Sequence, residues 1–500
     1  MVAEALVRSP EAGQTAREPA LASVGGTKVV WLEGQIPEAR LPVGREHALM
    51  GGFDSPTIIV PARSGRSNPT LTATLGRGAS RECFLAWEGG SEGVYGVHIW
   101  GQFLSADLRP IGELIQVSPP AHGAAYGGSF PYQKHYAVAF EPRTQTLLVT
   151  WIGNRDHVRT LGWRTINAVT HAPEAGWHRV TYPGADADSD PIMGLEPLWV
   201  DVAAADGPEY LLRCRVGPPR AEAFFLAYVG EQPGPGEHQV RAIALDAAGL
   251  PLWESYSVGV DSDGNDTYDY EICVAGQPSP REVAADRETG TCDYFKVATA
   301  YDPRWNRILV VYWRPAGEEG LGPRYGLYGR FVPGAGLLVR DRELPGYLGE
   351  SRGVCELPGN EMRFGVTLSE SQRVEDGRLL LVYSKRQRRY TVAYTAKGAA
   401  GDVGLYALEL SENAVPVGGT MAADGRVSPM RLASNVSSFD LKVHAGAQRP
   451  WDIGGRIYHL SGGKGEKSPL DNFHLVAEEH STVDPSAGGI INEYLWTELA

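Results

Sequence analysis

The sequence predicts an all-β protein assembled from repeats, on three observations. First, its 500 residues include 61 Gly and 35 Pro. These cost about 1 and 3 kcal/mol in a helix interior, and they recur every few residues, so a helix bundle is excluded. Second, hydrophobic residues make up 43% and charged residues 21% of the chain. That is enough apolar surface to offset chain entropy, which excludes a disordered polymer. Third, a strand ending in an aromatic residue returns along almost the whole length. The longest stretch free of both Gly and Pro, Arg378 to Lys397, itself reads as two strands.

Taken in chain order, the recurring strand is KVVWLEG at 28–34, FLAWEGG at 84–90, LLVTWIGN at 147–154, FFLAYVGE at 224–231, ILVVYWRP at 308–315, LLLVYSKR at 379–386 and, weakly, GRIYHLSG at 455–462. Its aromatics are Trp31, Trp87, Trp151, Tyr228, Tyr312, Tyr383 and Tyr458, spaced by 56 to 84 residues. Several copies follow an alternating strand and a polar turn, as in YAVAFEPRTQTLLVTW from Tyr136, KVATAYDPRWNRILVVYW from Lys296 and FGVTLSESQRVEDGRLLLVY from Phe364. That is the period-2 pattern of a half-buried hairpin. A second hairpin follows four of the aromatic strands, with the turns SADLRP, DAAGLP, PGAG and SENAVP supplying Gly, Pro, Asn or Asp where the chain reverses.

Four strands per unit and about seven units resemble a β-propeller, in which small sheets pack face to face and leave only short, protected edges. The resemblance covers residues 27–480. It implies a propeller of six or seven long blades, preceded by a flexible tail at 1–26 and followed by a segment at 481–500 that would close the ring. A string of β-sandwiches is the other architecture with these strands, but no linker-like break separates the repeats. No subfamily is indicated. WD40 Trp-Asp endings, the sialidase Ser-x-Asp-x-Gly-x-Thr-Trp box and the in-register Gly pairs of kelch repeats are all absent. The twelve His do not stand in the His-Asp-Phe setting of carotenoid oxygenases.

The net charge of −14 argues against general nucleic-acid binding, which needs a basic footprint. No run of 18 apolar residues marks a membrane span. No apolar core of a signal peptide is visible near the start, a reading compatible with a cytoplasmic, virion or non-classically exported protein. Five Cys are too few for a disulfide scaffold. Cys83 and Cys214 read as small buried residues, while Cys273 and Cys292 bracket a Pro- and charge-rich insert and would suit a bridge in an oxidising compartment.

Two acidic loops have the oxygen spacing that wraps calcium. Asp261, Asp263, Asn265 and Asp266 surround a Gly, although Asp266 and Ile272 break the EF-hand pattern; Asp186, Asp188 and Asp190 form a second, Gly-free loop. The alternative for both is that of solvated turn residues. Lys385, Arg386, Arg388 and Arg389 place four charges at a hairpin tip, fit either for an anionic ligand or partner or for simple solvation. Trp177 and Trp305 lie in turns, where an exposed indole can stack on a sugar or anchor an interface. Glu88, Asp201 and Glu271 are carboxylates near strand ends. No nucleophile elbow or P-loop is present.

Repeats without catalytic motifs favour a non-enzymatic scaffold or recognition protein, binding a protein partner or glycan through blade-connecting loops, as a component of a larger assembly and with calcium stiffening one loop. The alternative is a carbohydrate-active propeller enzyme, a glycoside hydrolase or lyase, which would account for the surplus Trp and scattered carboxylates.

Overall fold

The computed structural model describes residues 3–8, 14–23, 27–35, 46–51, 57–64, 67–75, 81–90, 97–118, 136–155, 158–176, 178–179, 196–205, 223–231, 238–250, 256–260, 266–269, 272–275, 295–305, 307–315, 324–333, 361–372, 374, 378–385, 387–398, 401–417, 420–421, 427–434, 436–445, 455–456, 473–480 and 492–498. Among these, no helix is long and apolar enough to cross a membrane. The described chain is β throughout apart from one 3-10 turn at Glu370–Gln372.

Consecutive segments form sheets of four or five strands, five of them four-stranded. Sheet A is Gln14–Ser23, Thr27–Gln35, Glu46–Gly51 and Thr57–Ser64. Sheet B is Ser67–Leu75, Arg81–Gly90, Val97–Ser105 and Pro110–Gln116. Sheet C contains Tyr136–Glu141, Thr146–Arg155, Val158–Asn167 and His178–Arg179. Sheet D is Glu196–Ala204, Phe224–Glu231, His238–Leu245 and Ile272–Ala275. Sheet E is Phe295–Asp302, Arg307–Pro315, Arg324–Pro333 and Met362–Ser369. Sheet F is Leu379–Ser384, Arg389–Lys397, Val403–Ser411 and Met430–Ser434. Sheets A, B, D, E and F are four-stranded antiparallel units of the β-propeller kind, and sheet C has five strands.

Sheet G joins the two ends of the chain. Ala3–Arg8 pairs with Asn492–Glu498, which pairs in turn with Phe473–His480 and through it with Val436–Ala445. The flexible tail expected at 1–26 is therefore corrected: it contains an edge strand of sheet G and the first strand of sheet A. The sequence AEALVR lacks a strand-like alternation, and only its partner strand at the far end of the chain supplies the hydrogen bonds.

By internal contacts the chain divides into two units, one comprising Met1–Tyr132, Asn167–Pro173 and Leu368–Ala500, the other Gln133–Ile166 and Glu174–Thr367. The first unit buries Ala20, Val30, Leu71, Leu85, Trp87 and Leu104 in one cluster, and Leu405, Val436, Phe439 and Leu441 in another. Cys83 belongs to the former, and burial pushes its thiol up to about 12. The second unit has a core that includes Leu148, Trp163, Phe224, Leu226, Tyr228, Val310 and Tyr312. Each such side chain contributes about 1.5–3 kcal/mol on full burial. Of the aligned aromatics, Trp87, Trp151, Tyr228 and Tyr312 are buried on the second strand of their sheets. Tyr383 instead lies on the first strand of sheet F, and Tyr458 is outside the described residues.

The turns are as repetitive as the strands. In SADLRP, DAAGLP and SENAVP, the amide of the fourth residue donates to the carbonyl of the first, and the amide of the first donates to the carbonyl of the fifth, all at 2.7–2.9 Å. The fourth residue, Leu108, Gly249 or Ala414, has φ of 60°, 79° or 56°. On the other hairpin, a buried carboxylate ends the first strand. Glu141 accepts the Arg143 and Thr144 amides at 3.0 and 2.7 Å, and Asp302 accepts the Arg304 amide at 3.1 Å.

Candidate functional site

A cluster of reactive side chains in the second unit lies where Arg307–Pro315 ends and Arg324–Pro333 begins. Alternation puts Tyr312 and Arg314 on one face of their strand. Their cross-strand partners are Tyr328 and Gly326. Both converge on Glu361, just before Met362–Ser369: the Tyr312 hydroxyl donates to Oε1 at 2.7 Å, and the Arg314 guanidinium pairs with Oε2. The Arg314 guanidinium carbon also lies 4.5 Å from the Tyr328 ring centroid. A Cβ on Gly326 would come within 2.5 Å of that ring, so only Gly permits this stack. Tyr312 is fully buried, whereas the side chains of Arg314 and Glu361 remain 34% and 16% exposed. Tyr312 is thus a positioning group, and the carboxylate and guanidinium are the reachable pair.

A bulge brings a second cation to the same end. Phe295 pairs with Trp313 and Val297 with Tyr312, leaving Lys296 between them with φ of 54°. Bulges re-aim side chains in this way. The Lys296 ammonium sits 5.6 Å from the centroid of Trp199, which follows a register shift at the start of sheet D. Asp201, two residues on, accepts the Thr299 amide at 2.8 Å and its hydroxyl at 3.2 Å. These bonds hold the first strands of sheets D and E together below Trp199 and Lys296. The ensemble can bind a polar or anionic group with Arg314 and move a proton at Glu361.

Apart from Asp201, the described residues singled out in the sequence fall elsewhere. Trp305 is half exposed in the turn of sheet E. Lys385, Arg388 and Arg389 do form a hairpin tip: the Arg388 amide donates to the Ser384 carbonyl at 2.7 Å with φ of 56°, and Arg389 pairs with Glu409 at 3.2 Å. Arg386 and Trp177 lie outside the described residues, as do Asp186, Asp188, Asp190, Asp261, Asp263, Asn265, Glu271 and Cys292. Asp266 opens a strand of the two-stranded ribbon Tyr256–Val260 with Asp266–Asp269. Glu88 is buried in sheet B and accepts a hydrogen bond from the Asn68 side-chain Nδ2 at 2.9 Å, Asn68 being a positive-φ residue within another bulge. No group of three metal-ligating side chains is assembled among the described residues.

Lys296, Tyr312, Arg314 and Glu361 are not legible as a cluster in the sequence. Two residues after the aligned aromatic stand Gly89, Gly153 and Gly230 in three repeats but Glu33, Arg314, Lys385 and Leu460 in the others, so Arg314 does not stand apart from the repeat.

No protein-family model matches the sequence, and no curated protein does. Among solved structures, the chain is similar to the α-L-arabinofuranosidase Arb93A from Fusarium graminearum, at 9% identity over 99% of this chain and 97% of that one, with a TM-score of 0.40. It is also similar to an ulvan lyase of polysaccharide lyase family PL25, at 9% identity over 98% and 96% of the two chains and a TM-score of 0.46. A Penicillium chrysogenum α-L-arabinanase matches at 9% identity over 99% and 98%, with a TM-score of 0.33. These likenesses concern the course of the chain and not its side chains.

Proposed function

We propose that the protein is a carbohydrate-active propeller protein whose working groups are Glu361 and Arg314, with Tyr312 and Tyr328 holding them and Lys296 and Trp199 beside them. The observation that carries this reading is the convergence of a buried hydroxyl and a ring-stacked guanidinium on one partly exposed carboxylate. Glu361 serves as the proton-transfer group, and Arg314 holds a substrate oxygen or carboxylate against it. A partly exposed carboxylate paired with a guanidinium suits proton abstraction beside a neutralised acidic group, whereas hydrolysis uses two facing carboxylates. Turnover of uronate-rich and neutral polysaccharides, followed by reducing ends and by ultraviolet absorbance of unsaturated products, tests it. Glu361→Gln is expected to lower turnover about 100-fold or more while leaving the fold and glycan retention intact. Absence of both turnover and retention would leave the non-enzymatic scaffold as the better reading, and Arg388, exposed on its tight hairpin, is the observation that favours it.

A further inference from the structure

At the opposite end of the same strand of sheet E, the turn Asp302–Arg307 holds a second feature. Trp305 is 50% exposed. Hydrogen bonds tie the turn around it. The buried Asp302 carboxylate accepts the Arg304 amide at 3.1 Å and the Arg307 Nε at 3.3 Å. Arg307 lies 3.6 Å from the Phe331 ring centroid and 5.9 Å from that of Trp305, while Arg304 lies 5.3 Å from Trp305. Two guanidiniums therefore flank an indole whose outer surface meets water. Leaving so large an apolar ring exposed gains the fold nothing, whereas an ordered exposed indole binds without further loss of side-chain entropy.

We propose that Trp305 and Arg304 form a binding site for an acidic sugar, the apolar face of one uronate ring stacking on the indole and its carboxylate meeting Arg304. A stripe of nucleic acid would require successive stacking rings along a basic groove, and among the side chains of described burial Trp305 is the one exposed aromatic. Strand Arg307–Pro315 separates this turn from Glu361, at about 3.3 Å per residue, so the site is a second point of attachment and does not depend on the chemistry at Glu361.

Affinity electrophoresis of the full chain in gels containing polygalacturonate, a neutral β-glucan or single-stranded DNA tests the assignment. The wild type is expected to be retarded by polygalacturonate alone. Trp305→Ala should weaken that retardation about tenfold, the loss of one anchoring aromatic; Trp305→Phe should restore most of it, and Arg304→Gln should weaken it without affecting mobility in neutral gels. Thermal melting of each variant checks that the turn still folds. Equal retardation of the wild type and Trp305→Ala, or Trp305-dependent retardation by the neutral glucan or the DNA, overturns the proposal. Glu361→Gln serves as the separating control, because it should leave the retardation unchanged whatever becomes of turnover.

Discussion

Single side chains in this protein do their work by being held from several directions. Tyr312 illustrates it: its ring is part of the second unit's core, while its hydroxyl supports a carboxylate that keeps contact with solvent. Tyr312→Phe is expected to cost about 1.5–3 kcal/mol, the range for a hydrogen bond to a charged group, read as a lower denaturation midpoint with an unchanged m-value. His98 gives a pH-dependent case. It is buried beside Ser118, with Nδ1 3.5 Å from the serine hydroxyl, and burial holds its pKa below the ordinary 6.5. The folded state thus binds fewer protons than the unfolded chain between its own pKa and 6.5. The stability owed to neutral His98 is complete above 6.5 and is lost as the pH falls through that window. Chemical denaturation across about pH 7 to 5 should show stability declining, with a shallower decline in His98→Gln.

At the scale of elements, the outer hairpin turns form a natural experiment, because three share one hydrogen-bond pattern and differ in the residue at positive φ. Gly249 pays no steric cost there, and an added Cβ would also press at 3.3 Å on His178, Thr165 and Trp163. Ala414 occupies the same conformation with its Cβ in place. Gly249→Ala is expected to destabilise by about 1–2 kcal/mol and Ala414→Gly to stabilise by up to about 1 kcal/mol, since left-handed backbone penalises any L side chain. Thermal melts of the two variants, shifting in opposite directions, would check this. The strands and these turns were readable because both obey short-range rules: alternation, and polar or Gly residues at reversals. The Glu361 cluster obeys none, since the carboxylate comes from 47 residues beyond Arg314 and Lys296 owes its direction to a bulge. Likewise, the sequence singled out Trp305 as an exposed ring from its turn, yet its pair of flanking guanidiniums follows from how Asp302 folds that turn.

For the whole molecule, the central device is sheet G, where the first and last described strands are neighbours. No local pattern in the first eight residues announces a strand, because the reason for it lies almost 500 residues away. Removing residues 1–8 is expected to lower the melting temperature and to raise the tendency to aggregate, since the Asn492–Glu498 edge loses its partner; light scattering during a thermal ramp would register both. The pairing also imposes an order in time. Synthesis proceeds at about 5–20 residues per second, so Ala3–Arg8 waits on the order of 25–100 s for the strand it will meet. Throughout that interval Ala3–Arg8 lacks this partner, and whatever folds between the two strands must leave room for Asn492–Glu498 to be fastened beside it.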